Sequence, residues 1–140
     1  MPGTQTPAER IRHAYARWAE SKGASADLFL DLMADDIVCS SALSPHEDHP
    51  LAKARTGKEF ARDYLESLPL NLDMIDYPTD EIVDGGDTVV WIGRCSWRER
   101  ATGKETSTVK VDVWRFRDGK AVSVLEMFDT LGFARLNRMI

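Results

Sequence analysis

Two carboxylates and one phenol stand out among the 140 residues. The first acid is Asp112 in VKVDVWRF, where Val109, Val111 and Val113 alternate with Lys110, Asp112, Trp114 and Phe116. Such alternation marks a β-strand with two unlike faces. One face is valine. The other sets an acid between a lysine and two aromatic residues, where a charge is expensive unless something compensates it. Two readings stay open: Lys110 and Asp112 pair near the strand's wet end, or the carboxyl is held protonated among apolar groups and donates a hydrogen bond. Glu126 repeats the pattern on a rung shared with Val122, Val124 and Phe128, with an exposed rim position as its alternative. Two acids on adjacent antiparallel strands have the chemistry of an acid–base pair. Tyr15 shares a helical stripe with Ile11 and Trp18, a core position whose hydroxyl still needs a partner.

Around these groups the sequence supplies an apolar wall. In TVVWIGRCSWRER, Trp91, Gly93, Cys95 and Trp97 fall on one face, and Val90, Ile92, Arg94 and Ser96 on the other. With Trp114 and Phe128 these tryptophans would shape a pocket for a small apolar molecule. Other chemistries lack their residues: there is no phosphate-cradling glycine loop, HExxH or paired CxxC. The run HEDHP, His46 to Pro50, resembles a metal cluster, but adjacent loop residues cannot all face one ion. The third histidine, His13, points away on the wet side of the first helix. Neither metal nor cofactor is expected. Cys39 and Cys95 sit in apparent strands without CxxC spacing and read as buried free thiols.

The elements that must position these residues follow from periodicity. Thr6, Pro7 and Glu9 open a helix that carries Ile11, Ala14, Tyr15 and Trp18 inward and ends near Gly23. Ser25 is placed as the cap of a second helix, ADLFLDLMADD, followed by a strand, DIVCSSAL. SPHEDHPLAKAR has no period and two prolines and reads as a loop. A third helix, KEFARDYLESL, aligns Phe60, Tyr64 and Leu68 and is expected to stop at Pro69. Beyond it the chain is extended, with turns at Gly85–Gly86, Thr102–Gly103 and Asp118–Gly119 and a short helix or tail at the end. Helices followed by a long meander predict an α+β domain over 1–140: three N-terminal helices packed on a strongly twisted, mostly antiparallel sheet, a conical half-barrel with a pocket at its open end.

Composition narrows the partners. The formal charge of −5 leaves no basic footprint for nucleic acid or an anionic membrane. No apolar run approaches the roughly 18 residues of a membrane span, and MPGTQTPAERIRHAY lacks a signal-peptide core. A cytoplasmic location is expected.

The segments AYARWAES, LMADDIV, TGKEF, VDVWRFRDGKAVSV and EMFD, in this order, resemble the ketosteroid isomerase branch of the nuclear transport factor 2-like, or SnoaL-like, superfamily. The resemblance implies an α+β conical barrel. It also implies that Tyr15 and Asp112 act as the family's tyrosine and protonated aspartic acid, donors to an enolate oxygen. The family's base, an aspartate on the first strand, falls on Ser41, or Ser40 with a slip of one. Polyketide cyclases and limonene-epoxide hydrolases of the superfamily carry an acid where Glu126 stands, which makes Glu126 the candidate base; His46, Glu47 or Asp48 of the loop over 44–55 are alternatives. The hydrolases' Arg-x-Asp is here Gly93-x-Cys95, so epoxide hydrolysis is the least favoured reading.

The sequence therefore predicts cofactor-free proton transfer on a small, largely apolar carbonyl compound of steroid-, polyketide- or terpenoid-like character, by isomerisation, cyclisation or dehydration. Tyr15, Asp112 and Glu126 are the catalytic candidates; Ser41, Trp91, Cys95, Trp97, Trp114 and Phe128 are the ligand-binding ones. The alternative is a non-catalytic binding or accessory domain that has lost its base. Val109, Val111 and Val113 on the opposite face predict a homodimer.

Overall fold

The structure, a computed structural model, describes residues 5–44 and 53–138. His46, Glu47, Asp48 and His49 lie outside that range. Helix α1 (Pro7–Glu20) opens with the expected cap: the Thr6 hydroxyl accepts from the Glu9 amide at 3.2 Å, and the Glu9 carboxylate reaches back to the Thr6 amide. Ile11, Ala14, Tyr15 and Trp18 are buried along it, with Ala8 at its start.

Helix α2 (Asp27–Leu32) is shorter than the sequence suggests. The chain turns extended at Met33, and Met33–Ser41 forms strand β1. Continuing the helix would have placed Asp35 and Asp36 at its negative end; on β1 both are exposed. The Lys120 ammonium closes α2 by donating to the Asp31 carbonyl at 2.8 Å. Ser25 does not cap it; the N-cap position is Ala26, without a side-chain bond.

After β2 (Arg55–Thr56) comes α3 (Lys58–Asn71), which corrects two further expectations. Phe60 is exposed, and the covered face runs through Ala61, Leu65 and Leu68. Pro69 lies inside the helix instead of ending it. Proline cannot donate a backbone hydrogen bond, but the carbonyls here have another donor. The Arg100 guanidinium reaches the Pro69 carbonyl at 2.7 Å and that of Leu70 at 2.9 Å, while pairing with Asp73 at 2.8 Å.

Strands β3 (Leu72–Asp76), β4 (Thr79–Gly85), β5 (Thr88–Glu99), β6 (Glu105–Arg117) and β7 (Lys120–Met127) complete one sheet, and α4 (Thr130–Leu136) follows. The order is β2-β1-β7-β6-β5-β3, with β4 paired to the other half of β5. Among the described residues only β1 and β7 run parallel. The sheet is twisted and not closed, with helices against one face, the α+β architecture the sequence predicts. On β5 and β6 the faces divide as the alternation requires, and Val89, Trp91, Cys95, Trp97, Asp112, Trp114 and Phe116 are buried. Gly93 is needed where it stands: a Cβ there would lie 2.2 Å from the Pro78 carbonyl oxygen and 2.5 Å from the Trp91 ring. On β7 a register shift leaves Val122 without a place in the ladder, so Ala121 joins Val124 in the core and Val122 does not.

Candidate functional site

One rung of the sheet collects the polar residues. Ser41 on β1 is in register with Glu126 on β7, Glu126 lies opposite Asp112 on β6, and Asp112 lies opposite Trp91 on β5. Lys110 precedes Asp112 by two residues on the same face. Both readings of Asp112 are corrected in part: the Lys110–Asp112 pair forms, but buried and not at a wet end, and the buried carboxyl accepts hydrogen bonds where a donor was expected. Asp112 is 2% exposed, and the Lys110 ammonium donates to its Oδ1 at 2.6 Å and its Oδ2 at 2.5 Å. The Tyr15 hydroxyl donates to Oδ2 as well, and accepts from the Trp114 indole N–H at 3.0 Å. Both Asp112 oxygens are thus occupied as acceptors, and Tyr15 has spent both its donor and an acceptor position. Trp91, fully buried, stacks on the Tyr15 ring at 4.1 Å.

The remaining faces of Lys110 look toward Glu126, Tyr77 and Trp91. Its Nζ lies 3.5 Å from Glu126 Oε2, and 5.7 Å and 5.8 Å from the ring centres of Tyr77 and Trp91, within cation–π range. Tyr64 on α3 donates to the same Glu126 oxygen at 3.3 Å. Tyr77, in the bend between β3 and β4, has no hydrogen-bond partner for its hydroxyl among the described residues.

These side chains form a wall. On one side is a cavity of about 150 Å³, on the other a smaller one of about 50 Å³, and Tyr64, Tyr77, Lys110 and Glu126 line both. Of the residues expected at the site, Ser41, Cys95, Trp97, Glu126 and Phe128 line the larger cavity. Tyr15, Asp112 and Trp114 line only the smaller one, and Trp91 lines neither. Phe128 packs edge-on against Phe133 of α4, which also lines the larger cavity.

Burial sets the electrostatics. Burial raises the Glu126 carboxyl above the usual carboxylate range; Lys110 opposes that rise and Asp112 adds to it. For Lys110, burial alone would lower the ammonium, but Asp112 and Glu126 outweigh it and hold it well above the ordinary lysine value. Burial first, then carboxylate repulsion, raises Tyr15 and Tyr64, so both phenols stay protonated. The thiols are pushed up mainly by burial, Cys39 to about 12 and Cys95 to about 11, which leaves them neutral. Among the described residues no group of three or more His, Cys, Asp or Glu could hold a metal ion.

Ser41 serves a turn: its hydroxyl accepts from the Leu43 amide at 3.1 Å, and its own amide donates to Ser44 Oγ at 2.9 Å. Three polar residues of the wall were not singled out from the sequence as site residues. Tyr64 carried a signal, three residues from Ala61 and four from Leu68 on the covered side of α3. Lys110 shared the Asp112 face. Tyr77, in an extended stretch before Pro78, carried none.

The model of the SnoaL-like domain matches residues 11–124. A comparison with curated protein sequences gives no match. Among solved structures, a nuclear transport factor 2-like protein from Burkholderia thailandensis is 25% identical, with 94% of this chain and 97% of that one covered at a TM-score of 0.76. A Mesorhizobium loti protein provisionally called a SnoaL-like polyketide cyclase is 22% identical over 89% and 98%, at 0.68. A Catenulispora acidiphila protein with a ketosteroid isomerase-like fold, in complex with trimethylamine, is 14% identical over 87% and 85%, at 0.67. With residues 11–124 of its 140 matched, this chain belongs to the SnoaL-like domain family.

Proposed function

We propose that the protein takes up a small, largely apolar carbonyl compound and moves a proton on it without a cofactor, as an isomerase, cyclase or dehydratase does. The observation that carries this reading is Glu126 beside the Lys110 ammonium in the wall of an otherwise largely apolar cavity. Glu126 takes the proton from the carbon next to the carbonyl. Its raised pKa makes it a stronger base than an exposed carboxylate. Lys110 and the free Tyr77 hydroxyl are donors for the oxyanion that develops, and a site poor in water strengthens both. A cavity of about 150 Å³ holds roughly one ring, so the reacting ring sits inside and any larger body extends outward. Both cysteines are free, which suits a reducing cytoplasm; no helix among the described residues is long and apolar enough to cross a membrane.

The test is hydrogen–deuterium exchange next to the carbonyl of cyclohexenone and tetralone in deuterated water, followed by proton NMR. Wild-type protein should accelerate exchange, and Glu126→Gln should lose on the order of 100-fold or more. The turn-bound Ser41 at the family's base position favours a second reading, a binding domain without turnover. Saturable phenol binding with no exchange of either ketone would select it.

A further inference from the structure

We propose that Tyr15 and Asp112 serve this site as positioning residues, holding the Lys110 ammonium so that one N–H bond faces the cavity beside Glu126. The inference rests on the proton-transfer reading and reassigns the two residues from ligand donors to supports.

The argument is one of valence. An ammonium has three N–H bonds and no acceptor. Asp112 takes two of them, through Oδ1 at 2.6 Å and Oδ2 at 2.5 Å. The third is left to Glu126 Oε2 at 3.5 Å, an ion pair long for an N–H···O bond. A ligand oxygen at ordinary distance can take that N–H from so weak a contact. Behind the pair, Tyr15 fixes the carboxylate by donating to Oδ2, and it is itself held by the Trp114 indole at 3.0 Å and the Trp91 stack at 4.1 Å. Lysine has a flexible four-carbon stem. A two-point clasp by a carboxylate that cannot itself turn removes that freedom.

The clasp also protects the base. Released from Asp112, Lys110 would shorten its 3.5 Å ion pair with Glu126 into a direct hydrogen bond, and a carboxylate locked that way abstracts protons poorly. Asp112 therefore keeps Lys110 near Glu126 without letting the two collapse together. The charged and titratable groups facing Glu126 are Lys110 and Asp112 from β6, Tyr64 from α3, Cys39 from β1, Cys95 from β5 and Tyr77 from the β3–β4 bend.

Two measurements on the full chain test this. Carbon NMR of labelled glutamate side chains follows the Glu126 titration and needs no substrate. Asp112→Asn should move the Glu126 midpoint down, because Lys110 turns to it and a repelling charge is gone; Lys110→Met should move it up. An Asp112→Asn protein with the wild-type Glu126 midpoint overturns the proposal. For catalysis, Asp112→Asn should slow cyclohexenone exchange on the order of 100-fold by misplacing Lys110, yet add nothing in a Lys110→Met background. Additive losses would mean direct contact with the ligand and reject the supporting role. Tyr15→Phe leaves the ion pair in place and should lower kcat with KM unchanged; a raised KM with unchanged kcat rejects the assignment for Tyr15. Failure of the wild-type protein to exchange either ketone sinks the proton-transfer reading alone, since the Glu126 titration still decides the positioning role.

Discussion

Glu126 sets the pH range in which the site can work. Because burial lifts its carboxyl above the usual range, the base form appears only at correspondingly higher pH. Exchange activity should therefore rise with pH through that lifted midpoint and then level off, since Lys110 is held protonated beyond the ordinary lysine range. A profile flat down to the usual carboxylate range would rule Glu126 out as the base. The same shift predicts stability with a definite sign. A carboxyl raised on folding favours the native state at low pH, and that advantage is lost as pH rises through the folded value. Glu126→Gln should accordingly gain on wild type in urea unfolding as pH increases. Lys110 gives a larger effect: Lys110→Met strands a buried carboxylate and should cost about 3–5 kcal/mol, most of it recovered by adding Asp112→Asn. That Asp112 stands on an unusual rung was legible, since alternation alone puts it with Lys110 and two aromatic residues. What alternation leaves open is the depth of the rung. Whether Lys110 meets water or Glu126 is decided by β7 and α3, which arrive from distant parts of the chain.

The elements behave as packing and capping dictate, more than as local propensity does. Arg100 lies 31 residues from Pro69, the carbonyl of which it satisfies, so nothing near KEFARDYLESLPLN announces that the helix survives its proline. Arg100→Ala should fray the end of α3 and lower stability by about 1 kcal/mol, the modest effect of a half-exposed charged contact. Loss of amide protection at Asn71 and Leu72 in hydrogen exchange would report the fraying directly. Gly93 is the stricter case. Its missing side chain lets the β4 approach and the Trp91 ring meet over β5, so Gly93→Ala should cost about 1–3 kcal/mol by overpacking. An unchanged melting temperature would refute that account. Read as a family position, Gly93 marked an absent catalytic group; in the structure it is a packing requirement. The first helix, the hairpin turns and the two long strands were legible because cap, period and turn residues agree there. The end of α2 was not, because its stop depends on Met33 pairing with Ala121 across the sheet.

At the scale of the whole molecule the unexplained surface is the outer face of the sheet. Val109 is 56% exposed, Met127 44% and Val38 41%, and Val111, Val113, Ile92 and Leu125 beside them are only half-buried. They span β1, β7, β6 and β5, four neighbouring strands. Arg94, Arg98, Arg115 and Arg117 are exposed on the same face of β5 and β6. An apolar centre with a charged rim is the anatomy of a protein interface. We propose a second copy of this chain as the occupant, because an apolar patch can meet itself across a two-fold axis without needing a complementary partner. Sedimentation velocity at micromolar concentration should then give about twice the 15.7 kDa of one chain. Val111→Glu, which buries like charges opposite each other in such a dimer, should halve the mass while leaving the melting transition cooperative. A wild-type protein that sediments as a single chain would remove the second copy from this face. Since the cavity lies on the other side of the sheet, Val111→Glu should leave cyclohexenone exchange near its wild-type rate, separating assembly from chemistry.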